Sequence, residues 1–175
     1  MIVRRSWLLC ACIASLLSTA SRADATTWKA YRYVEDKFEV QFPDKSEIKP
    51  SPSTINDDIK AKIVRATDYL LDGGDYAYIV GASLLKVDVN FDGAAKSSFE
   101  GLKCKTTSSD KLLNYPAGRA RELRGDDCME GTIRAGARYY TTAKWFYQIL
   151  YLVPQDAKFR EDAEHFLTSF KIIGK

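Results

Sequence analysis

Apolar and polar residues alternate with a period of two along most of the chain, and only two stretches switch to the helical period. Across 37–42, Phe38, Val40 and Phe42 alternate with Lys37, Glu39 and Gln41. A strand of that pattern buries one face and wets the other. The aromatic-rich segment 28–34 precedes it, and Glu35-Asp36 is predicted to turn one into the other. Pro43 stops the second strand, and the polar, proline-bearing stretch 43–58 reads as a loop. Pairing is expected to resume near Ile59, where Ile59, Ala61 and Ile63 alternate with lysines, and to run to Leu71. Asp72-Gly73-Gly74-Asp75 carries a hairpin signal, because glycine supplies the positive φ of tight turns. The chain then returns antiparallel through 76–85.

The first helical stretch follows Asp92, a residue type suited to an N-cap. Ala95, Phe99 and Leu102 fall at i, i+4 and i+7, one stripe facing a core, and Cys104 lies just past the end. A short strand is expected at 112–114 and a longer one at 118–124. Gly125-Asp126-Asp127 reads as a turn, with Cys128 opening the next strand towards Tyr140. The segment 145–153 is apolar on both alternating faces, which marks a central strand covered on both sides. Three layers satisfy that pattern better than two. The final helix is predicted over 156–170, with Phe159, Ala163, Phe166, Leu167 and Phe170 as its buried stripe and His165 opposite, in water. The fold class is α+β: a mostly antiparallel sheet with helices on its faces.

Four segments carry a family likeness. Lys37-Phe38-Glu39-Val40-Gln41-Phe42-Pro43 resembles the opening strand of small exported bacterial proteins. Gly118-Arg119-Ala120-Arg121-Glu122-Leu123 resembles their "P-G-R-E" strand, with two extra residues. Phe146-Tyr147-Gln148-Ile149 and Phe166-Leu167-Thr168-Ser169-Phe170-Lys171 resemble their closing strand and helix end. These features are similar to the fold shared by PsbP photosystem proteins, DcrB-type periplasmic proteins and Ran-binding Mog-type proteins. The resemblance implies an α/β/α sandwich. It carries no catalytic residue across, because members of that fold mainly bind or assist larger assemblies.

The N-terminus changes how charge and cysteine content are read. Arg4 and Arg5, an apolar run from Trp7 to Leu17 and the small residues of Ser21-Arg22-Ala23 form the three-part pattern of a secretory signal. Residues 1–23 are therefore expected to be a signal peptide cut between Ala23 and Asp24, leaving a single domain over 24–175. The run is too short to span a bilayer. Leu9-Cys10-Ala11-Cys12 faintly resembles a lipoprotein box, but leaves too short an apolar stretch before the cut. The whole chain has 26 Lys+Arg against 23 Asp+Glu, and loss of Arg4, Arg5 and Arg22 balances the two. Zero net charge argues against a nucleic-acid partner. No later segment reads as a membrane helix, so the expected location is the periplasm or the medium. Cys10 and Cys12 leave with the leader, and Cys104 and Cys128 remain. In an oxidising compartment a disulfide is the expected state, with two free thiols or a metal site as alternatives.

Candidate chemistry is sparse. His165 is the chain's one histidine, with no nucleophile elbow to serve. Asp126-Asp127 and Asp57-Asp58 read as turn and loop carboxylates rather than as calcium or acid/base pairs. Gly73-Gly74 lies between strands, not before a helix, and so is no phosphate loop. No cofactor or metal site is expected. Arg119, Arg121, Arg124, Arg134 and Arg138 fall on two strands expected to pair, with Tyr139-Tyr140 beside them. Arg119, Arg121, Arg134, Arg138, Tyr139 and Tyr140 are the candidate partner-binding residues, against the alternative of a wet sheet face whose charge deters aggregation. The function read from the sequence is a non-enzymatic exported protein that binds a protein or small-ligand partner through a sheet face or loop. An envelope-associated structural domain is the second reading, and a periplasmic hydrolase with an unrecognised site the third.

Overall fold

The computed structural model describes residues 26–44, 47–54 and 57–174. The expected leader and its Ala23–Asp24 cut lie outside them. Strands β1 (Trp28–Tyr33) and β2 (Phe38–Pro43) make the expected hairpin, in register from Trp28↔Pro43 to Tyr33↔Phe38. A short strand after the last helix, Lys171–Ile172, pairs with the other edge of β2 and completes a three-stranded sheet.

The main sheet takes β3 (Lys49–Pro52), β4 (Ile63–Asp72), β5 (Ala77–Leu85), β6 (Thr106–Leu113), β7 (Arg119–Cys128), β8 (Ile133–Thr141) and β9 (Trp145–Pro154), and Lys171–Ile172 is β10. Its order is β3-β4-β5-β9-β8-β7-β6, and every neighbouring pair is antiparallel. β9 is central, as its two-sided apolar pattern requires. Tyr147, Ile149, Tyr151 and Val153 pack in one core with Phe38, Val40 and Phe42. Leu150 packs in a second core, with Phe146 and Leu152 against it. Helix α2 (Phe91–Glu100) roofs that second core through Phe91, Ala95 and Phe99. Helix α3 (Arg160–Ser169) roofs the first through Ala163, Phe166 and Leu167, beside the small sheet.

Several boundaries differ from the expectation for physical reasons. The stretch 43–58 is not all loop, because it holds β3 and a single helical turn, α1 (Asp57–Lys60). Ile59 sits in that turn, and β4 begins only at Ile63. Pro50 and Pro52 fit a strand because β3 is an edge, paired on one side with β4 alone. Asn90, not Asp92, caps α2, accepting from Gly93 N at 3.2 Å. Asp92 lies inside the first turn, where its charge suits the helix dipole. The final helix opens as a 3-10 turn at Ala157–Phe159 before α3.

The strand predicted at 112–114 is the longer β6. Gly125-Asp126-Asp127 is not the turn. It stays within β7 as an irregularity between Gly125 and Cys128, and Cys128 closes that strand by pairing with Ile133. Met129, Glu130 and Gly131 turn the chain instead, all with positive φ.

Cys104 and Cys128 are bonded. Segment 102–105 runs directly beside 127–129: Met129 N donates to Leu102 O at 3.1 Å and Lys105 N to Asp127 O at 3.4 Å. The two cysteines face each other between those bonds, with Cα atoms 3.7 Å apart, closer than the ~4.4–6.8 Å usual for a disulfide. A Cβ at position 125 would stand 2.7 Å from Cys104 Sγ, so glycine there makes room for the bridge.

Tyrosine dominates the first core: Tyr78, Tyr147 and Tyr151 are all but fully buried. Burial pushes Tyr151 up to about 12 and raises Tyr78 and Tyr147 further. A phenol whose folded pKa is raised contributes stability that is complete below its unfolded value near 10 and is lost as pH climbs above it. Alkaline titration should therefore show the phenolate absorbance of these three tyrosines rising together with the loss of β-sheet circular dichroism, above pH ~10. Phenolate absorbance reaching its value for all ten tyrosines before unfolding would contradict this burial. No helix among the described residues is long and apolar enough to cross a membrane.

Candidate binding groove beside the last helix

Side chains alternate across β7 and β8, and this divides the arginines predicted to form one patch. Arg119 and Arg121 point to the α2 face. Asp92 takes Arg119 Nη2 and, at 3.0 Å, Arg121 Nη1. Asp110 of β6 takes Arg121 Nε and Nη2, each at 2.7 Å, and those bonds hold its carboxyl below the usual range. Tyr139 is on the same face, fully buried beneath α2. Arg124, Arg134, Arg138 and Tyr140 point to the α3 face. The six candidate residues are therefore not one surface: Arg134, Arg138 and Tyr140 come together, and Arg119, Arg121 and Tyr139 do not join them.

On the α3 face those side chains floor a groove along α3. Its middle is an ion-pair ridge built on Glu122, only 5% exposed. Glu122 accepts from Arg124 Nε at 2.8 Å and from Arg138 Nε at 2.7 Å. Glu164 of α3 grips the other end of Arg124 through both oxygens. Burial pushes the Glu122 carboxyl up, yet the two arginines outweigh it and hold the group below its ordinary range. Hydrogen bonds from Arg124 to Glu164 and Glu122 raise the guanidinium in turn. The cluster is ionised and ties the helix to the sheet.

A hollow opens at each end of the ridge. Towards the N-terminus of α3 lies one of about 410 Å³, lined by Arg124, Arg134, Arg160, Asp126, Glu164 and Tyr151 among others. Arg134 Nε donates to Asp126 at 2.7 Å, which holds that carboxyl low. Gly136 is required here, since a Cβ would meet the Tyr151 ring at 2.4 Å. Towards the C-terminus of α3 lies the larger hollow, about 640 Å³, bounded by Tyr115, Tyr140, Phe170, Leu113, Arg138 and Lys171 among others. Across ridge and hollows, Arg124, Arg134, Arg138, Arg160 and Lys171 outnumber Glu122, Asp126 and Glu164.

Replacing Glu122 with Gln leaves Arg138 without its carboxylate while Arg124 keeps Glu164. The expected loss of unfolding free energy is about 2–3 kcal/mol, below the ~3–5 of a fully buried pair because both arginines reach solvent. Urea melts of E122Q beside the parent check it, and a loss under ~0.5 kcal/mol, the surface-site level, would show that Glu122 does not anchor the ridge.

His165 is exposed but not free in water. Its Nε2 lies 2.7 Å from Gln41 Oε1, and its ring centroid is 4.2 Å from that of Trp28 on β1. It stands outside the groove. Asp127 accepts from Gln155 Nε2 at 2.7 Å. Among the described residues, no group of three His, Cys, Asp or Glu side chains is placed to hold a metal ion.

One polar cluster went unread in the sequence. Asp36, in the β1–β2 turn, is 3% exposed and accepts from Arg65 Nη2 and Tyr69 Oη. Tyr147 Oη donates to its carbonyl at 3.0 Å. These bonds clamp the hairpin to the main sheet. Tyr115 in the loop after β6, Arg160 and Glu164 on α3, and Lys171 on β10 also line the groove without having been foreseen.

Comparison with known proteins places the fold. No protein-family model matches the chain, and no curated protein matches it. The solution structure of cyanobacterial PsbP (CyanoP) from Synechocystis sp. PCC 6803 matches 89% of this chain and 98% of its own, at a TM-score of 0.56 and 12% identity. A Pseudomonas aeruginosa protein of unknown function matches 85% of this chain and 97% of its own, at a TM-score of 0.44 and 13% identity. The likeness to CyanoP is one of fold, and the chain has a PsbP-like α+β architecture.

Proposed function

We propose that this chain is an exported, non-enzymatic accessory protein of the PsbP/DcrB/Mog-like sandwich type, which binds its partner through the groove beside α3. The observation that carries this reading is the groove itself: a strip of sheet left open by α3, with cations in excess and a hollow at each end. Each of its carboxylates, Glu122, Glu164 and Asp126, is paired with an arginine, as in a recognition surface rather than a set of free acids and bases, and Lys171 makes no ion pair among the described residues. The PsbP-like fold supports an accessory role, since the resemblance implies proteins that bind or assist assemblies. Export rests on the leader pattern of residues 1–23, and the mature chain then begins at Asp24 in the periplasm or the medium. The sequence-predicted Arg134, Arg138 and Tyr140 belong to this surface.

Affinity capture from the native envelope fraction tests the proposal. The parent protein should retain a partner that the double variant R134E/R160E loses while keeping its fold by circular dichroism. Equal capture by both would exclude the groove. N-terminal sequencing of the exported protein should read from Asp24, and an intact Met1 on protein in the cytosol would remove the export half of the proposal.

A further inference from the structure

The larger hollow has a composition that the rest of the groove lacks. Tyr140 stacks on Phe170 with ring centroids 5.3 Å apart, and Tyr115 meets Tyr140 edge-on at 5.2 Å. With Leu113 they make a mainly apolar wall around about 640 Å³, a volume typical of small-molecule sites at ~300–1,000 Å³. Two cations stand at this wall. Arg138 spends Nε on Glu122, turns Nη1 towards Leu167 O at 3.4 Å and interacts with the Tyr140 hydroxyl, leaving part of its five donors. Lys171 makes no ion pair among the described residues, although Glu39 is its cross-strand neighbour in β2. The ridge sets Arg124 and Arg138 against Glu122 and Glu164, so the uncompensated positive charge at the hollow is that of Lys171. That balance suits a singly charged anion, whereas a phosphate dianion would leave charge unmatched and the aromatic wall unused.

We infer that this hollow is a binding site for a small amphipathic monoanion: an acidic head, carboxylate or sulfonate, on an aromatic or aliphatic body. The head pairs with Lys171 and the outward donors of Arg138, and the body lies on Tyr140, Phe170 and Leu113. Apolar contact supplies most of the affinity and the cations fix orientation. The inference rests on the reading of the groove as a binding surface, but needs no protein partner.

Fluorescence titration of the disulfide-bonded protein with 8-anilino-1-naphthalenesulfonate, beside its uncharged counterpart N-phenyl-1-naphthylamine, tests it. The sulfonate should bind saturably at one site with micromolar affinity. The neutral probe should bind about tenfold more weakly, a difference of about 1.4 kcal/mol. K171E should weaken the sulfonate about tenfold or more and leave the neutral probe within about twofold. L113D should weaken both. Decanoate should displace the sulfonate, and decanol should need about tenfold more to do so. Non-saturable binding, equal binding of the two probes, or an unchanged K171E would each overturn the site. If the probes behave as expected while envelope capture finds no partner, the hollow stands and the protein-partner reading falls. A captured partner without probe binding would overturn the hollow and leave the protein-partner reading in place.

Discussion

Phe166→Ala should lower the unfolding free energy by about 3–5 kcal/mol, the range for an aromatic truncation that leaves a cavity. Phe166 is fully buried, and its ring centroid lies 5.2 Å from that of Phe42 and 4.7 Å from that of Tyr78. It therefore joins α3 to both sheets at once, and little of the void can collapse without moving one of them. The preceding residue is the control. His165→Ala loses only an exposed hydrogen bond to Gln41 and a ring contact with Trp28. Those are worth about 0.5–1.5 kcal/mol, more than an isolated surface site but well below Phe166. Urea melts of both variants decide it, and equal losses would mean that α3 is not seated on this face.

Opening the Cys104–Cys128 bridge should cost nearly as much. The loop it closes spans 24 positions, which a chain-entropy estimate values at ~3–3.5 kcal/mol. Cys128 is fully buried in the α2 core, so alanine is a better replacement than serine, whose hydroxyl would need a partner there. The C104A/C128A variant and the reduced parent should unfold at similarly lowered urea concentrations. Thiol titration of the denatured but unreduced mature protein should find no free thiol. Two reactive thiols would remove the bridge, and with it the tie between the exit of α2 and the end of β7.

The fold was legible wherever a pattern reported burial directly. The two-sided apolar run of β9 announced a central strand, the alternation at 38–42 a half-buried one, and Ala163, Phe166 and Leu167 the seated face of α3. Turn chemistry was less dependable. Gly73-Gly74 made the expected hairpin, with Gly73 N donating to Tyr76 O at 2.8 Å. Gly125-Asp126-Asp127 looks equally turn-like, yet Arg134 fixes Asp126 and the disulfide occupies the space beside Gly125, so β7 continues. At β3 the two prolines argued for loop, and only the sheet order shows an edge where proline is tolerated.

The groove was half legible for a related reason. Composition placed five arginines on paired strands, but the face each one takes depends on register, which is set by long-range pairing. Arg121 and Arg138 sit on adjacent strands yet are separated by the thickness of the sheet. Two of the arginines' partners, Asp92 of α2 for Arg121 and Glu164 of α3 for Arg124, come from elements that local sequence does not connect to β7. Asp36 was hidden in the same way: a turn carboxylate looks solvated until Arg65 and Tyr69, from β4, close over it.

Site-specific photocrosslinking in the native envelope tests the binding groove most directly. A photoreactive residue at Asn114, on the rim of the larger hollow, or at Ser108, on the rim of the smaller one, reports contact at either end. The same group at Lys96, exposed on α2, reports the opposite face. The account predicts a discrete crosslinked species from Asn114 or Ser108, lost in the R134E/R160E background, and none from Lys96. Crosslinking from Lys96 alone would contradict it and move the binding surface to the other side of the sheet.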